Sequence, residues 1–530
     1  MSHRPIVVVG SGPAGVSAAW PLVRAGLPVV MVDAGRDRFP VPPPERPAFS
    51  VLRRGAPGAL GHLLGANLDG LRDMRGYSPK LRTSAPPDFI NAYAAGNAIR
   101  TEGFSLVGTF AAGGLSNLWG AAASLFDRDD LGCGAIGFDE LLFSARSVAK
   151  RIGLNGVDDD DMAKVHGLGL PLQPPPPLAP GAAALMRAYG SKPASDFILG
   201  RARSAVLCVD LGERQGCNCC GGCMWSCPRR SIYNSADELP ALSAHSNFTL
   251  LAGVTVARVV RSRDGVAVLG HDAEGREIHI EADRVLLAAG AVATTRLALE
   301  ASGRWNEVVP IRTAPALAFA AIMPRLLGSA LPQRSFGLAQ LAFRADLGGG
   351  SDNYAFGLLY AAESMAAPDL IAHMPLSRRG ATDLLRTLLP GLIVGLIYLP
   401  GECSASTGRL IRNPDGTSRL EITGGFAESF HPTRRHAITA VAAALRRLGA
   451  WLLPGSAKAY TPGAEVHYGG SLPLGQATDT WGELQAVPGL HVVDGALLPR
   501  MPAKHHTFTV MALADRIGSH LAEPSGTPFT

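Results

Sequence analysis

The run Cys217-Asn218-Cys219-Cys220-Gly221-Gly222-Cys223-Met224-Trp225-Ser226-Cys227-Pro228 holds five of the chain's eight cysteines in eleven positions. Read through Cys217, Cys220, Cys223 and Cys227, the spacing is C-x2-C-x2-C-x3-C-P, which wraps thiolates around an iron–sulfur cluster. Short gaps aim several sulfurs at one point, the two glycines allow tight turns, and Pro228 stops a helix from running back into the loop. Cys219 is the odd thiol, so which three or four sulfurs would hold a three- or four-iron cluster stays open. The competing readings are structural zinc, a disulfide staple and buried free thiols. A chain of 530 residues needs no staple, and no histidine lies close enough in sequence to suggest a zinc finger.

A second group of reactive residues lies near the C-terminus. His467 opens His467-Tyr468-Gly469-Gly470-Ser471, and the neighbours His505 and His506 precede an amphipathic helical pattern over 508–521. Imidazole exchanges protons near neutrality, so three histidines at glycine-rich turns and a helix start are candidates for acid–base work. Each taken alone reads more readily as a structural histidine.

The elements that must position these groups begin at the N-terminus. Ile6-Val7-Val8-Val9 is a short β-branched apolar run, hence a buried parallel strand. It leads into Gly10-Ser11-Gly12-Pro13-Ala14-Gly15, then a helical pattern over 16–24, then a second strand ending at Asp33. Gly10 makes the tight turn, Gly12 lets backbone approach a pyrophosphate, and Gly15 lets the helix pack on the strand. The helix start attracts phosphate, and Asp33 accepts from ribose hydroxyls. These parts predict a dinucleotide site without deciding between FAD and NAD. The run Val285-Leu286-Leu287-Ala288-Ala289-Gly290 predicts another strand of the same sheet, followed by a helix over 294–300. Gly113-Gly114-Leu115-Ser116-Asn117-Leu118-Trp119-Gly120 is either a surface turn or backbone laid against a flat ring. Leu490 to Val493 predicts a strand ending in Asp494-Gly495.

Composition bounds the rest. Hydrophobic residues make up 47% and charged residues 18%, which is the balance of a well-buried globular chain. The net charge of +5 comes from scattered Lys and Arg with no aromatic-interleaved basic stripe, which argues against nucleic acid. The first strand leaves no room for a signal peptide, and no uncharged apolar run reaches ~18 residues. The nearest, over 388–399, reads as a buried strand or strand pair, or else as a membrane-facing or lipid-accepting patch. A cluster motif without an export signal predicts a reducing compartment, by default the cytoplasm, with peripheral membrane association as a variant.

Taken together, GSGPAG with Asp33, GGLSNLWG, VLLAAGAVATTRLAL, HYGGSLPLG and VVDGALLPR…HHTFTVMALADRI, in this order, resemble the glucose–methanol–choline (GMC) oxidoreductases. The resemblance weakens from about 314 to 455. It implies FAD as the dinucleotide, with Gly10, Gly12, Gly15 and Asp33 on the ADP half. It also implies Gly114, Ser116 and Asn117 beside the isoalloxazine and its phosphates, and Asp494 and Gly495 at the ribityl or pyrophosphate. The family's catalytic histidine falls on His467 and its partner on His505, with His506 one residue away. Leu474 stands where the family often has Met. The cysteine run followed by Ile232-Tyr233-Asn234 looks like the segment in bacterial FAD-dependent glucose dehydrogenases that carry an iron–sulfur cluster, although one gap is shorter and Cys217 is extra.

The implied chemistry is alcohol oxidation, on a sugar, a glycan or a sterol- or lipid-like alcohol. His467 would take the hydroxyl proton while hydride goes to FAD. Electrons would then leave through the cluster to a cytochrome, a ferredoxin-like protein or a quinone. A reductase of an unsaturated or carbonyl substrate, an oxygen-using GMC alcohol oxidase and a non-enzymatic electron-transfer or assembly subunit are the alternatives. The expected fold is α/β. A discontinuous Rossmann-like FAD-binding domain would be built from 1–40, 100–160, 200–310 and 456–530, with the cysteine-rich segment at 208–228. An α+β substrate domain on an antiparallel sheet would occupy 311–455. Residues 41–99 and 161–199 would connect and cover, with proline-rich stretches at 41–47 and 171–180 that cannot be regular helix.

Overall fold

The computed structural model describes residues 4–39, 48–52, 87–132, 134, 136–263, 265–350, 352–365, 370–371 and 374–523, with 87–91 as backbone only. The proline-rich stretch at 41–47 lies outside the described residues.

Two sheets organise the chain. The first is five-stranded and wholly parallel, in the order Leu490–Val492, Arg284–Leu287, Ile6–Val9, Val29–Asp33 and Phe248–Ala252. All four residues of its central strand are buried, and Val7 and Val8 are wholly so. Each such β-branched side chain contributes about 1.5–3 kcal/mol on leaving water, which is why an uninterrupted apolar run settles in the middle of a two-sided sheet. The helix Pro13–Arg24 follows the first strand and packs against the C-terminal helix Thr507–Ala522. Pro13 sits in the first helical turn, where its missing N–H costs nothing. The first and last parts of the chain therefore complete one domain.

The second sheet is antiparallel, in the order Trp451–Leu452, Ala316–Ile322, Leu392–Tyr398, Tyr354–Ala361, Leu341–Asp346 and Phe197–Arg201, with Lys458–Ala459 also paired to Ala316–Ile322. Its last strand comes from outside residues 311–455. The helices Phe430–Arg447 and Pro180–Ser191 cover one of its faces and share an apolar core with it. Pro180, at the end of the proline run, starts a helix rather than interrupting one.

The apolar run over 388–399 divides at Pro390. Its second half is the inner strand Leu392–Tyr398, flanked on both sides and mostly buried, so this stretch is a core strand and not a lipid-facing patch. Among the described residues no helix is long and apolar enough to cross a membrane.

Candidate active site

One cavity of about 330 Å³ runs from the glycine-rich turn at Gly10 to the C-terminal histidines, between the two sheets. At one end stand Gly10, Gly12 and Asp33. Gly10 has φ +104°, and a Cβ there would lie 2.4 Å from the Ala288 carbonyl oxygen. A Cβ on Gly12 would meet nothing within 4 Å, because that position opens into the cavity at the start of the Pro13–Arg24 helix. The Asp33 carboxylate accepts from the Ser11 amide at 2.6 Å and the Gly35 amide at 2.7 Å, which fixes it at the cavity edge. Gly15 lies behind the wall, where the helix comes against the turn.

The 113–120 loop is a buried 3-10 turn, Gly114–Asn117, and not a surface turn. Gly114, Ser116 and Trp119 line the cavity, but Asn117 does not. Its amide donates to the Ala112 and Gly114 carbonyls, and its oxygen accepts from the Phe39 amide and the Asn234 side chain. Asn117 therefore shapes the loop from behind. Ser116 donates to the Gly113 carbonyl at 2.5 Å and lies beside Ser235. Asp494 lines the cavity after the Leu490–Val492 strand, accepting from Thr294 and from the Ala496 amide, and burial raises its pKa to about 6. Gly495 is beside it.

At the other end the three histidines form a triangle. The His467 ring lies 5.0 Å from that of His505 and 5.1 Å from that of His506, perpendicular to both. His467 enters from the loop before the strand Tyr468–Gly469, which pairs with Arg312–Thr313. His505 and His506 lie immediately before the Thr507–Ala522 helix. Lys504, 1% exposed, anchors that approach by pairing with Asp127 at 2.9 Å and with Asp130, which also accepts from Tyr354 at 2.6 Å. The Nδ1 atoms of all three histidines are buried without a hydrogen-bond partner. Burial holds His467 well below its ordinary pKa, and the two neighbouring histidines push the same way. Burial likewise lowers His505 to about 3 and His506 to about 4. All three are neutral imidazoles at physiological pH, free to accept a proton.

Four of the predicted sulfur ligands lie apart from this cavity. Cys217, Cys220, Cys223 and Cys227 line a separate space of about 10 Å³, room for about one water. Cys219, at φ +55°, donates its amide to the Cys217 sulfur at 3.3 Å. Cys208 lies within electrostatic reach of Cys217 and Cys219, so it belongs to the same group of thiols. Burial pushes the Cys223 thiol well up and Cys208 to about 12, which favours the protonated forms. Among the described residues no three cysteines, histidines or carboxylates come together closely enough to hold a metal. As the thiols stand they do not fit an iron–sulfur cluster.

The comparisons with known proteins agree with this layout. Residues 434–514, which include all three histidines and Asp494, match the C-terminal family model described as GMC oxidoreductase. This part of the chain is similar to the C-terminal domain of the GMC oxidoreductases. The match supports an oxidoreductase acting on CH–OH groups, in a family that binds FAD. No curated protein matches the sequence. Among solved structures, pyridoxine 4-oxidase from Mesorbium loti superposes with a TM-score of 0.59 at 17% identity, over 98% of this chain and 99% of that one. This is a likeness of fold.

The GMC assignment allows the cavity to be tested against FAD. The open face at Gly12, the helix start, the fixed Asp33 and the buried Asp494 fit a dinucleotide laid from Asp33 toward the histidines. When bound, FAD supplies the two-electron acceptor. Several cavity residues carried no motif. Tyr93, Tyr360, Tyr398, Tyr460 and Glu465 all line the space. They come from separate elements, and only Glu465, two residues before His467, had a neighbour in sequence that could have drawn attention to it.

Proposed function

We propose that this oxidoreductase removes two hydrogens from a small alcohol carrying an apolar or aromatic part, with His467 as the proton acceptor. The observation that carries the reading is the triangle of neutral, unpartnered imidazoles closing one end of a cavity whose other end suits a dinucleotide. His467 takes the hydroxyl proton, which makes departure of hydride from the adjacent carbon easier. His505, 5.0 Å away, holds the same oxygen and orients it. His506 is the second donor or acceptor within reach. The Tyr398 ring, 5.0 Å from His467 and 4.7 Å from His505, keeps both rings in place and helps to exclude water. Tyrosine rings and Leu358 and Leu396 on the remaining wall favour an apolar or aromatic body over a heavily hydroxylated one.

The test is His467→Ala followed by rapid mixing with a panel of alcohols. Flavin should stay bound, while alcohol-dependent bleaching near ~450 nm slows by about 10²–10⁴-fold, the range for loss of a general base. Slowing of less than about fivefold would transfer the proton-accepting role to His505 or His506.

A further inference from the structure

Two residues before His467, Glu465 is only 7% exposed and lines the same cavity. Its Oε1 has no hydrogen-bond partner. The Thr313 hydroxyl and the backbone at Gly463 and Glu465 lie within bonding reach of the carboxyl, and among the described residues no cation acts on it. Between the two residues, Val466 has φ +64°. A β-branched residue resists this left-handed backbone. The strained link leaves Glu465 and His467 facing one space. The rings of Tyr360, Tyr398 and Tyr460 line the same region, with Tyr398 within electrostatic reach of Glu465 and of the other two tyrosines.

A half-satisfied buried carboxyl is costly; the apolar body of a hydrocarbon alcohol would not relieve it, and a sugar hydroxyl would supply one hydrogen bond but no charge and little to stack on the tyrosine rings. A cation would. It would pair with the free oxygen and stack against the electron-rich faces of the tyrosines. We propose that Glu465 is the specificity-determining residue, and that the cavity selects an alcohol that also bears a basic nitrogen, an amine or a protonated N-heterocycle, seated between Glu465 and the tyrosine rings. This rests on the alcohol-oxidising reading of the same cavity. Burial raises the Glu465 pKa to about 8, so the arriving cation also returns the carboxyl to its ionised form.

The experiment uses the FAD-loaded enzyme and a matched pair of substrates, 4-(aminomethyl)benzyl alcohol and 4-ethylbenzyl alcohol. The wild type should show a KM at least about tenfold lower for the amine, equivalent to one well-placed cationic contact. In Glu465→Gln that preference should collapse toward parity, and Glu465→Asp should restore part of it. A third probe, 4-ethylbenzylamine, lacks the hydroxyl and should perturb the flavin spectrum of the wild type with a Kd about tenfold tighter than in Glu465→Gln. Equal KM values for the two alcohols in the wild type, or a preference that survives Glu465→Gln, would overturn the assignment and leave the carboxyl as a neutral hydrogen-bond donor. Absence of amine binding would overturn it too, whether or not either alcohol is turned over. If neither alcohol bleaches the flavin and His467→Ala changes nothing, the alcohol-oxidising reading itself fails, and the amine-binding comparison still decides the role of Glu465.

Discussion

Glu465 and the three histidines respond to the same burial in opposite ways, the acid keeping its proton and the bases losing theirs. For the acid, the native state holds a proton that the unfolded chain releases near pH 4.5. Its contribution to stability is complete below that value and is lost as pH climbs to about 8. For the bases, the unfolded chain takes up protons near 6.5 while the native state does not until about 3 to 4, so stability falls as pH drops below 6.5. Asp494 and Asp515, raised to about 6 by burial, have ionised by pH 6.5, so the interval from 6.5 to 8 belongs mainly to Glu465. Facing it, Tyr398 and Tyr360 are raised by burial and do not titrate there, the Thr313 hydroxyl does not ionise, and His467 on the same cavity is held well below its ordinary value. Flavin-free protein should lose a few degrees of Tm over that interval, and Glu465→Gln should flatten the loss. An unchanged slope in the variant would show that Glu465 ionises without strain.

The glycine turn between the first strand and its helix separates folding from binding. Gly10 is enclosed by backbone and Gly12 faces empty space. Gly12→Val should therefore leave circular dichroism and Tm of the flavin-free protein close to wild type while abolishing flavin retention. Gly10→Ala, forced against the Ala288 carbonyl at a positive φ, should lower Tm as well. Retained flavin in Gly12→Val would mean that the turn is not the phosphate cradle. Such elements were legible in sequence because local pattern determines them. The Ile6–Val9, Val29–Asp33 and Arg284–Leu287 strands and the Thr507–Ala522 helix lie within a few residues of where apolar runs and helical periodicity predict them. Other features depend on partners far away in the chain. Phe197–Arg201 becomes an edge strand only by pairing with Leu341–Asp346, and the tyrosine wall assembles from 354–361, 392–398 and 460. Asn117 reads as a cavity residue by motif, but its four hydrogen bonds hold it behind the loop.

At the scale of the whole molecule, the cysteine loop packs against the antiparallel sheet behind the cavity wall. Phe49 stacks on Trp225 at 4.8 Å, and Tyr360, on the cavity wall, packs against the same small core as Trp225 and Met224. None of the described cysteines lines the flavin cavity. Replacing Cys227 with Ser should therefore leave alcohol-dependent bleaching within about twofold of wild type in a single turnover, because the base and the hydride path are untouched. Slower bleaching would mean that the loop holds the cavity wall in place. Iron and acid-labile sulfide assayed on anaerobic protein test the sequence expectation directly, and about three to four irons per chain would reinstate the cluster.

The strand order of the parallel sheet also constrains how the protein is made. Its central strand, Ile6–Val9, is made long before Leu490–Val492, on which the sheet ends, and before Thr507–Ala522, which covers its helix. At about 5–20 residues per second, synthesis keeps the nascent nucleotide-binding half incomplete for roughly 25–100 s. Until then the apolar Arg284–Leu287 strand has no final neighbour on one side and the Pro13–Arg24 helix lacks its cover, which makes the nascent chain a natural client for a chaperone. Cofactor loading must then be a post-translational event, and a shortage of riboflavin should appear as aggregation of newly made chains before it appears as loss of activity in old ones.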